Sequence, residues 1–312
     1  MAVAGGVGAA VWGVLIEPRL LQKRLVDAWL PDLPAGWREQ RLALLGDLQV
    51  GAPLANTDTI RRAVREAIAA RPGAVLLTGD YVYNTSHDPP AIIGQLVELL
   101  RPLASAGLPT LGVLGNHDFA LESTPDPRRQ RALADEVEAA LEQAGIRILR
   151  NLAIPLPAPL GGGSGRDVLY VVGIGERSVD QDNWRAAFAR VPEGAARVVL
   201  AHDPLALEPI PAGRAPLALA GHTHGGQIRV PSQPGWTPAR WWMRWPEYVD
   251  GWIDGLLEPG NRLYVNRGIG FSKLPVRLGA PPELTLVTLH GRARAGGTDQ
   301  SGRHAPSGGR SS

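Results

Sequence analysis

Five short apolar runs in this chain end the same way, each with polar residues at its C-terminal tip. The tips are Asp47 in "LLGDLQ", Asp80 in "LLTGD", Asn116 and His117 in "VLGNHD", His202 in "VVLAHD", and His222 and His224 in "LAGHTH". Helical patterns fall between several of these runs. "NTDTIRRAVREAIAARPG" puts Ile60, Val64, Ala67 and Ile68 on one face, with Thr57 or Asp58 as cap and Pro72-Gly73 as stop. Another helix follows in "PAIIGQLVELLRPLASAG", a charged amphipathic one over 128–144, and a shorter one near 181–190. Strands are expected in "RLALLGD" (41–47), "AVLLTGD" (74–80), "PTLGVLGNHD" (109–118), "IRILRN", "DVLYVVGIG", "ARVVLAHD", "APLALAGH", "GQIRV", "RLYVNRG" and "LTLVTLHG". Such alternation predicts an α/β layered fold, and the strand-rich last third predicts a sheet that is partly mixed or antiparallel.

Open α/β sheets bind ligands beyond the carboxyl ends of their strands, and parallel neighbours bring such tips together. Singly, each tip has an ordinary reading. Gly-Asp after a strand suits a turn or a helix cap, and a lone histidine suits a hydrogen bond. Jointly, at successive tips, they point to one site. The chain has no cysteine, so thiolate metal sites are excluded and any metal falls to His, Asp, Glu, Asn or Gln. Carboxylates with imidazoles suit Mn²⁺, Fe, Zn²⁺ or Co²⁺. Two such ions, about 3.5–4 Å apart, lower the pKa of a shared water and clamp phosphoryl oxygens. His222 and His224 point to opposite faces in an extended chain, so they join one centre only if the chain turns there, as Gly221, Gly225 and Gly226 allow.

The order Gly-Asp … Gly-Asp … Gly-Asn-His-Asp … His … Gly-His-x-His resembles that of the calcineurin-like metallophosphoesterases, over roughly residues 17 to 290. The flanking "EPRLL", "GGQIRVP" and "NRGIGFSKLPVRLGAPPELTLVTL" are similar to the bacterial, membrane-associated YkuE/YaeI-type branch. The resemblance implies an α/β four-layer sandwich of two mixed β-sheets flanked by helices. It also implies two divalent ions (Mn, Fe, Zn, Co or Mg) and hydrolysis of a phosphate ester. By motif position, Asp47 and His224 would hold the first metal, Asp80 would bridge, and Asn116, His202 and His222 would hold the second. His117 would act as acid or charge stabiliser, with Asp118 orienting it. The family has Asp-x-His in its first motif, whereas this chain has Gln49. An amide oxygen suits a hard cation but is a weaker donor than imidazole to a borderline one. The first site is therefore expected to be weaker, to prefer Mn²⁺ or Mg²⁺ over Zn²⁺, or to take an extra water. An inactive or mononuclear relative is the alternative.

Two ends stand apart. Residues 1–16 carry no charged side chain, and Arg19, Lys23 and Arg24 follow. The run is shorter than the ~20 residues a spanning helix needs. It reads as a short signal-anchor, a signal-like segment, a helix along a membrane, or an apolar helix packed on the domain. A spanning segment would leave the domain on the cytoplasmic side by its flanking charge. The expected organisation is an N-terminal segment over 1–24, one domain over 38–290, and a disordered Gly/Ser/Arg-rich tail over 291–312.

The stretch "WTPARWWMRWPEYVDGW" (236–252) holds five of the nine tryptophans, with Arg240 and Arg244 between them. It reads as a rim that meets lipid headgroups, with Arg240 and Arg244 as candidate phosphate partners, or as ordinary core. The net charge of only +2 argues against a nucleic-acid surface. The leading function is a phosphodiesterase acting on a lipid-linked phosphate or pyrophosphate, such as a UDP-linked diacylglucosamine, at the cell membrane. The competing one is a non-catalytic metal-binding module that contacts membrane or protein through the Trp-rich face.

Overall fold

The central strands are apolar on both faces because each separates two cores. The structure, a computed structural model, describes residues 8–54, 56–83, 88–120, 123–159, 167–229, 237, 249–254 and 256–292. In β2 (Arg41–Leu45), Ala43 and Leu45 face a helical layer while Leu42 and Leu44 face the opposing sheet. In β3 (Ala74–Leu77), Val75 and Leu77 take the helical side and Ala74 and Leu76 the other. This is the period-two alternation of a strand, with both faces buried.

The first sheet adds β1 (Gln22–Pro31), β4 (Thr110–Gly112), β5 (Arg147–Ile148) and β12 (Glu283–Arg292), in the order β1-β12-β2-β3-β4-β5. Strands β2 to β5 are parallel, β12 is antiparallel to β2, and β1 is parallel to β12. The second sheet comprises β6 (Leu152–Pro157), β7 (Val168–Gly173), β8 (Arg197–Leu200), β9 (Ala218–Ala220), β10 (Gly251–Ile253) and β11 (Leu263–Val265), in the order β10-β11-β9-β8-β7-β6. Its middle strands are parallel and its two edges antiparallel. Leu169, Val171, Val198, Leu200 and Leu219 meet Leu42, Leu44 and Leu76 between the sheets.

Helices α1 (Thr57–Ala69), α2 (Pro89–Ser105) and α3 (Pro127–Gln143) cover the first sheet, and the short α4 (Trp184–Phe188) joins the cover of the second. Helix, sheet, sheet and helix make the four layers of the expected fold. Ile60, Ala63, Val64 and Ala67 form the buried stripe of α1, at helical spacing. Asp88, Asp126 and Asn183 cap α2, α3 and α4 by accepting main-chain N–H groups. The start of α1 differs from expectation. Asn56 is its N-cap, and the Asn56 side chain instead donates to the carbonyls of Pro18 and Ile269.

Other differences have clear causes. Among the described residues of "GQIRV", Ile228 makes an isolated bridge to Leu278 in place of a strand. Strand β1 was hidden because its outer face mixes Lys23 and Asp27 with the exposed Leu25 and Trp29, which blurs the apolar–polar alternation. Val26, Ala28 and Leu30 point inward at alternate positions, while Lys23 and Arg24 read like a membrane flank. Both basic residues are engaged by the fold. Arg24 lies 3.4 Å from Glu283 and 3.2 Å from Asp250, and Lys23 lies 3.9 Å from Glu66. The sheet thus begins at Gln22, ahead of residue 38. The tail from 293 onward lies outside the described residues.

The chain before β1 is also tied in. Residues 8–11 are α-helical and Trp12–Ile16 continue as a π turn. The buried Glu17 carboxylate accepts from the Trp12 indole at 2.8 Å and from the Ala280 N–H at 2.7 Å, while the Gly13 carbonyl accepts from Arg277 N–H at 2.8 Å. Leaving such groups unpaired in a buried place costs about 1–3 kcal/mol. Glu17→Ala is therefore expected to lower the unfolding free energy by about that much in urea denaturation. An unchanged midpoint at unchanged slope would show that this segment adds nothing to the domain's stability.

Candidate metal centre

Each strand delivers its polar residue by ending abruptly. Asp47, Gln49, Asp80, His222 and His224 all have positive φ, between 48° and 72°. This left-handed region is disfavoured for side chains other than glycine, at about 1–3 kcal/mol each, and such strain gathers at functional sites. Gly79, at φ +92°, precedes Asp80 and lets the β3 tip pass against the main chain of Leu114 and Gly115. Asp47, Gln49, Asp80, Asn116 and His117 come from the first sheet, and His202, His222 and His224 from the second. The site lies where the carboxyl ends of both sheets meet.

The side chains fall into two groups that share one carboxylate. Asp80, His202 and His222 offer ligand atoms within 4.8 Å of one another, and so do Asp47, Asp80 and His224. The turn at His222–Gly225 sends the two histidines to different groups. Asn116 Oδ1 sits 3.1 Å from His202 Nε2 and 3.0 Å from His222 Nδ1, and those two nitrogens are 3.0 Å apart. His202 Nδ1 donates to the Thr78 carbonyl at 2.8 Å, which turns Nε2 inward. Two inward lone pairs and an amide oxygen this close need a proton or a cation between them.

Two further buried atoms have no hydrogen-bond partner, Gln49 Oε1 and His224 Nδ1. Gln49 gives its amide N–H to Asp80 Oδ2 at 2.8 Å, and this fixes the amide orientation and leaves the oxygen free. Unpartnered buried acceptors are costly unless something electropositive completes them. The donor set fits two divalent ions, with Asp80 between them.

The electrostatics agree. Burial and the neighbouring Asp80 push the Asp47 carboxyl up to about 7, against the pull of His202 and the His222 N–H. Burial also opposes ionisation of Asp80, but His202 and His117 outweigh it and hold that carboxyl well below the usual range. His202 moves the opposite way, well up, because Asp80 overcomes its desolvation. Burial lowers His222 and His224, aided by the charges of His202 and Arg277 respectively. Neutral His222 and His224 beside an ionised Asp80 are the forms that bind a metal, whereas an ion bound at His202 would displace the proton that Asp80 holds there.

One sequence expectation changes. Asp118 does not meet the His117 ring. Its carboxylate accepts four main-chain N–H groups, from Asp80, Tyr81, Val82 and Gly115, at 2.8–3.2 Å. The physical reason is position: Asp118 lies one turn into a 3-10 helix that packs beneath the β3 tip. The ring of His117 is set by Tyr83 instead. Nδ1 donates to the Tyr83 carbonyl at 2.9 Å, and the rings stack with centroids 5.4 Å apart. His117 Nε2 then faces Ser272 Oγ at 3.4 Å, and the Ser272 N–H is held by Gln227 Oε1 at 2.9 Å. Thr78, Tyr83, Gln227, Ser272 and Arg277 all serve the site, and none was singled out from the sequence. They act through main-chain carbonyls, one hydroxyl, one amide and one guanidinium, which leaves no common motif in the sequence.

Arg240 and Arg244 lie outside the described residues, as do four of the five tryptophans of that stretch. Trp252 is described and packs as core, edge-on to Tyr264 at 5.4 Å with the Arg262 guanidinium 4.3 Å over its ring.

The calcineurin-like phosphoesterase family model matches residues 40–226, more than half of the chain. The chain is 24% identical to the uncharacterized metallophosphoesterase YkuE of Bacillus subtilis, over 93% of this chain and 91% of that one. It is 32% identical to the phosphodiesterase YaeI of Escherichia coli, over 74% of this chain and 75% of that one. It is 22% identical to the UDP-2,3-diacylglucosamine pyrophosphatase LpxG of Chlamydia muridarum, over 91% and 94%. With the paired Asp/His groups at the strand tips, the match establishes that the chain belongs to the calcineurin-like phosphoesterases, metal-dependent hydrolases of phosphoric ester bonds.

Proposed function

We propose that the protein is a dinuclear phosphodiesterase that cleaves a phosphodiester or pyrophosphate on a lipid-linked substrate at a membrane surface. The observation that carries the chemistry is the pair of ligand groups sharing Asp80, with His117 beside them. Two bound ions supply an activated water and neutralise the phosphoryl oxygens. In the residue roles proposed, Asp47, Gln49 and His224 hold one ion, Asn116, His202 and His222 the other, and Asp80 both. His117 keeps Nδ1–H on the Tyr83 carbonyl, so Nε2 is the nitrogen that protonates the leaving oxygen or stabilises its charge. The names of YaeI and LpxG support a diester or a pyrophosphate. Arg240 and Arg244 are the proposed phosphate partners on the substrate.

The membrane part rests on where apolar side chains are exposed. Val11, Trp12, Leu15 and Ile16 protrude from the N-terminal helix, and Leu54 and Leu274 from loops beside it, at 59% and 57% exposure. The loops are near because Asn56 bonds the Pro18 carbonyl and Val276 packs against Gly13. Leu274 is two residues from Ser272, which faces His117. An apolar rim beside a catalytic site suits a substrate with acyl chains. No helix of the described residues is long and apolar enough to cross a membrane. The attachment proposed is along the membrane surface, through this apolar rim.

With Mn²⁺, the purified chain is expected to hydrolyse bis-p-nitrophenyl phosphate. Asp80→Ala should lose bound metal and turnover together, whereas His117→Ala should keep the metal and lose about 10²–10⁴-fold in rate. Bound metal without turnover in the wild-type protein would favour the non-catalytic module.

Gln49→His should tighten Zn²⁺ binding relative to Mn²⁺, read by competition calorimetry. An unchanged preference would mean that residue 49 does not face an ion.

Sedimentation with anionic phospholipid vesicles should retain the full chain, and the double variant Leu15→Asp, Leu274→Asp should stay in the supernatant with its metal content intact. Equal retention of both proteins would remove the apolar rim as the docking face.

A further inference from the structure

Arg277 is the largest charged side chain among the fully buried ones, and the strand-tip motifs do not include it. Its guanidinium makes its hydrogen bonds to main-chain carbonyls. Nε donates to Gly270 at 2.7 Å, Nη2 to Arg267 at 2.8 Å, and Nη1 to Ala280 at 2.7 Å and to His224 at 3.3 Å. A rigid planar fork can hold several acceptors in fixed directions, which an ammonium on a flexible stem cannot do.

The carbonyls it gathers belong to one half of the metal centre. The 267–270 turn forms the wall behind Asp47. Ile269 N–H donates to Gly46 at 3.1 Å, Gly270 N–H donates to the Asp47 carbonyl at 2.6 Å, and Gly268 lies so close that a Cβ there would strike the Asp47 carboxyl. His224 is bonded directly. In the other half, His202 is held by the Thr78 carbonyl, and the His222 N–H donates to the Asp47 carboxylate at 3.0 Å, which links the two halves. Arg277 also reaches back to the N-terminal segment through its own N–H on the Gly13 carbonyl. One buried cation thus ties the strap that carries Ser272 to two ligands of one ion.

We propose that Arg277 is a positioning residue for the Asp47–His224 half of the metal centre, holding its two ligands through main-chain carbonyls, while the His202–His222 half feels it indirectly, through the Asp47–His222 bond. This rests on the dinuclear reading above. Outer supports of metal ligands are worth about 10–100-fold in metal affinity. Loss of Arg277 should therefore weaken one ion by that factor and the other by clearly less.

The test is Mn²⁺ calorimetry and metal analysis after dialysis, on the full chain, with melting temperatures measured alongside. The wild-type protein should bind two ions. Arg277→Met should retain one and bind the second about 10–100-fold more weakly. Arg277→Lys keeps the charge but not the fork, so it should lie between the two. It also carries the test if the methionine variant does not fold. A purely structural role would lower the melting temperature without separating the two affinities. Two unchanged affinities in a folded variant, or equal weakening of both ions, would overturn the assignment to Arg277 alone. A wild-type protein that binds fewer than two ions would overturn the dinuclear reading, and this inference with it.

Discussion

The carboxylate of Asp118 is the knot on which the site depends. It accepts N–H groups from the β3 tip, at Asp80, Tyr81 and Val82, and from the β4 tip, at Gly115. Those bonds take up donors that a strand leaves behind when it stops, and buried donors cannot be left open. Two strand ends are thereby fixed to each other, and Asp80 is fixed between them. A carboxylate with several main-chain donors ordinarily has a depressed pKa. Here burial and the adjacent Asp80 charge prevail and raise Asp118 to about 7, despite the Gly115 and Val82 N–H groups. Two acids placed so close in a buried region make an electrostatic debt that a cation beside Asp80 discharges. The same arrangement that closes the strand tips therefore favours a metal.

Strain and packing meet at the same place. Five candidate ligand or neighbour positions carry left-handed backbone, at about 1–3 kcal/mol each. Such a cluster persists only where the surroundings leave no alternative. Those surroundings are the inter-sheet core and the helical core, which flank β2 and β3 on both faces. Burying one leucine contributes about 1.5–3 kcal/mol, so a handful of core residues offsets the strained tips. The four-layer architecture is what makes an unfavourable site backbone affordable.

The strand tips were legible in the sequence because each combines an apolar run, a polar end and, in most cases, a glycine just before it. The main helices were legible from their apolar stripes. Strand β1 was not, because this edge strand alternates Val26, Ala28 and Leu30 with Leu25, Asp27 and Trp29, so apolar residues stand on both faces, and the Lys23-Arg24 pair resembles a membrane flank. The role of Asp118 was misread for a different reason. Adjacency in Gly-Asn-His-Asp suggested that Asp118 serves His117, but neighbours in a tight turn project in different directions. The carbonyl that orients His117 belongs to Tyr83, 34 residues away. Contacts made through the main chain are set by topology, and side-chain identity does not record them.

Gln49 shows how a departure from a motif can keep part of its chemistry. An imidazole in this position would offer one donor and one acceptor. The glutamine amide offers both as well. Its N–H₂ goes to Asp80 Oδ2, and because a carboxylate can only accept, Oε1 must face the other way. That oxygen is buried and without a protein partner, beside a group that contains Asp47, Asp80 and His224. What the substitution removes is the softer nitrogen donor, and what remains is an oxygen-rich set with one imidazole. The opposite group keeps two imidazoles. By donor type alone, the two halves should rank metals differently, with Mn²⁺ or Mg²⁺ favoured beside Gln49 and Zn²⁺ or Fe beside His202 and His222.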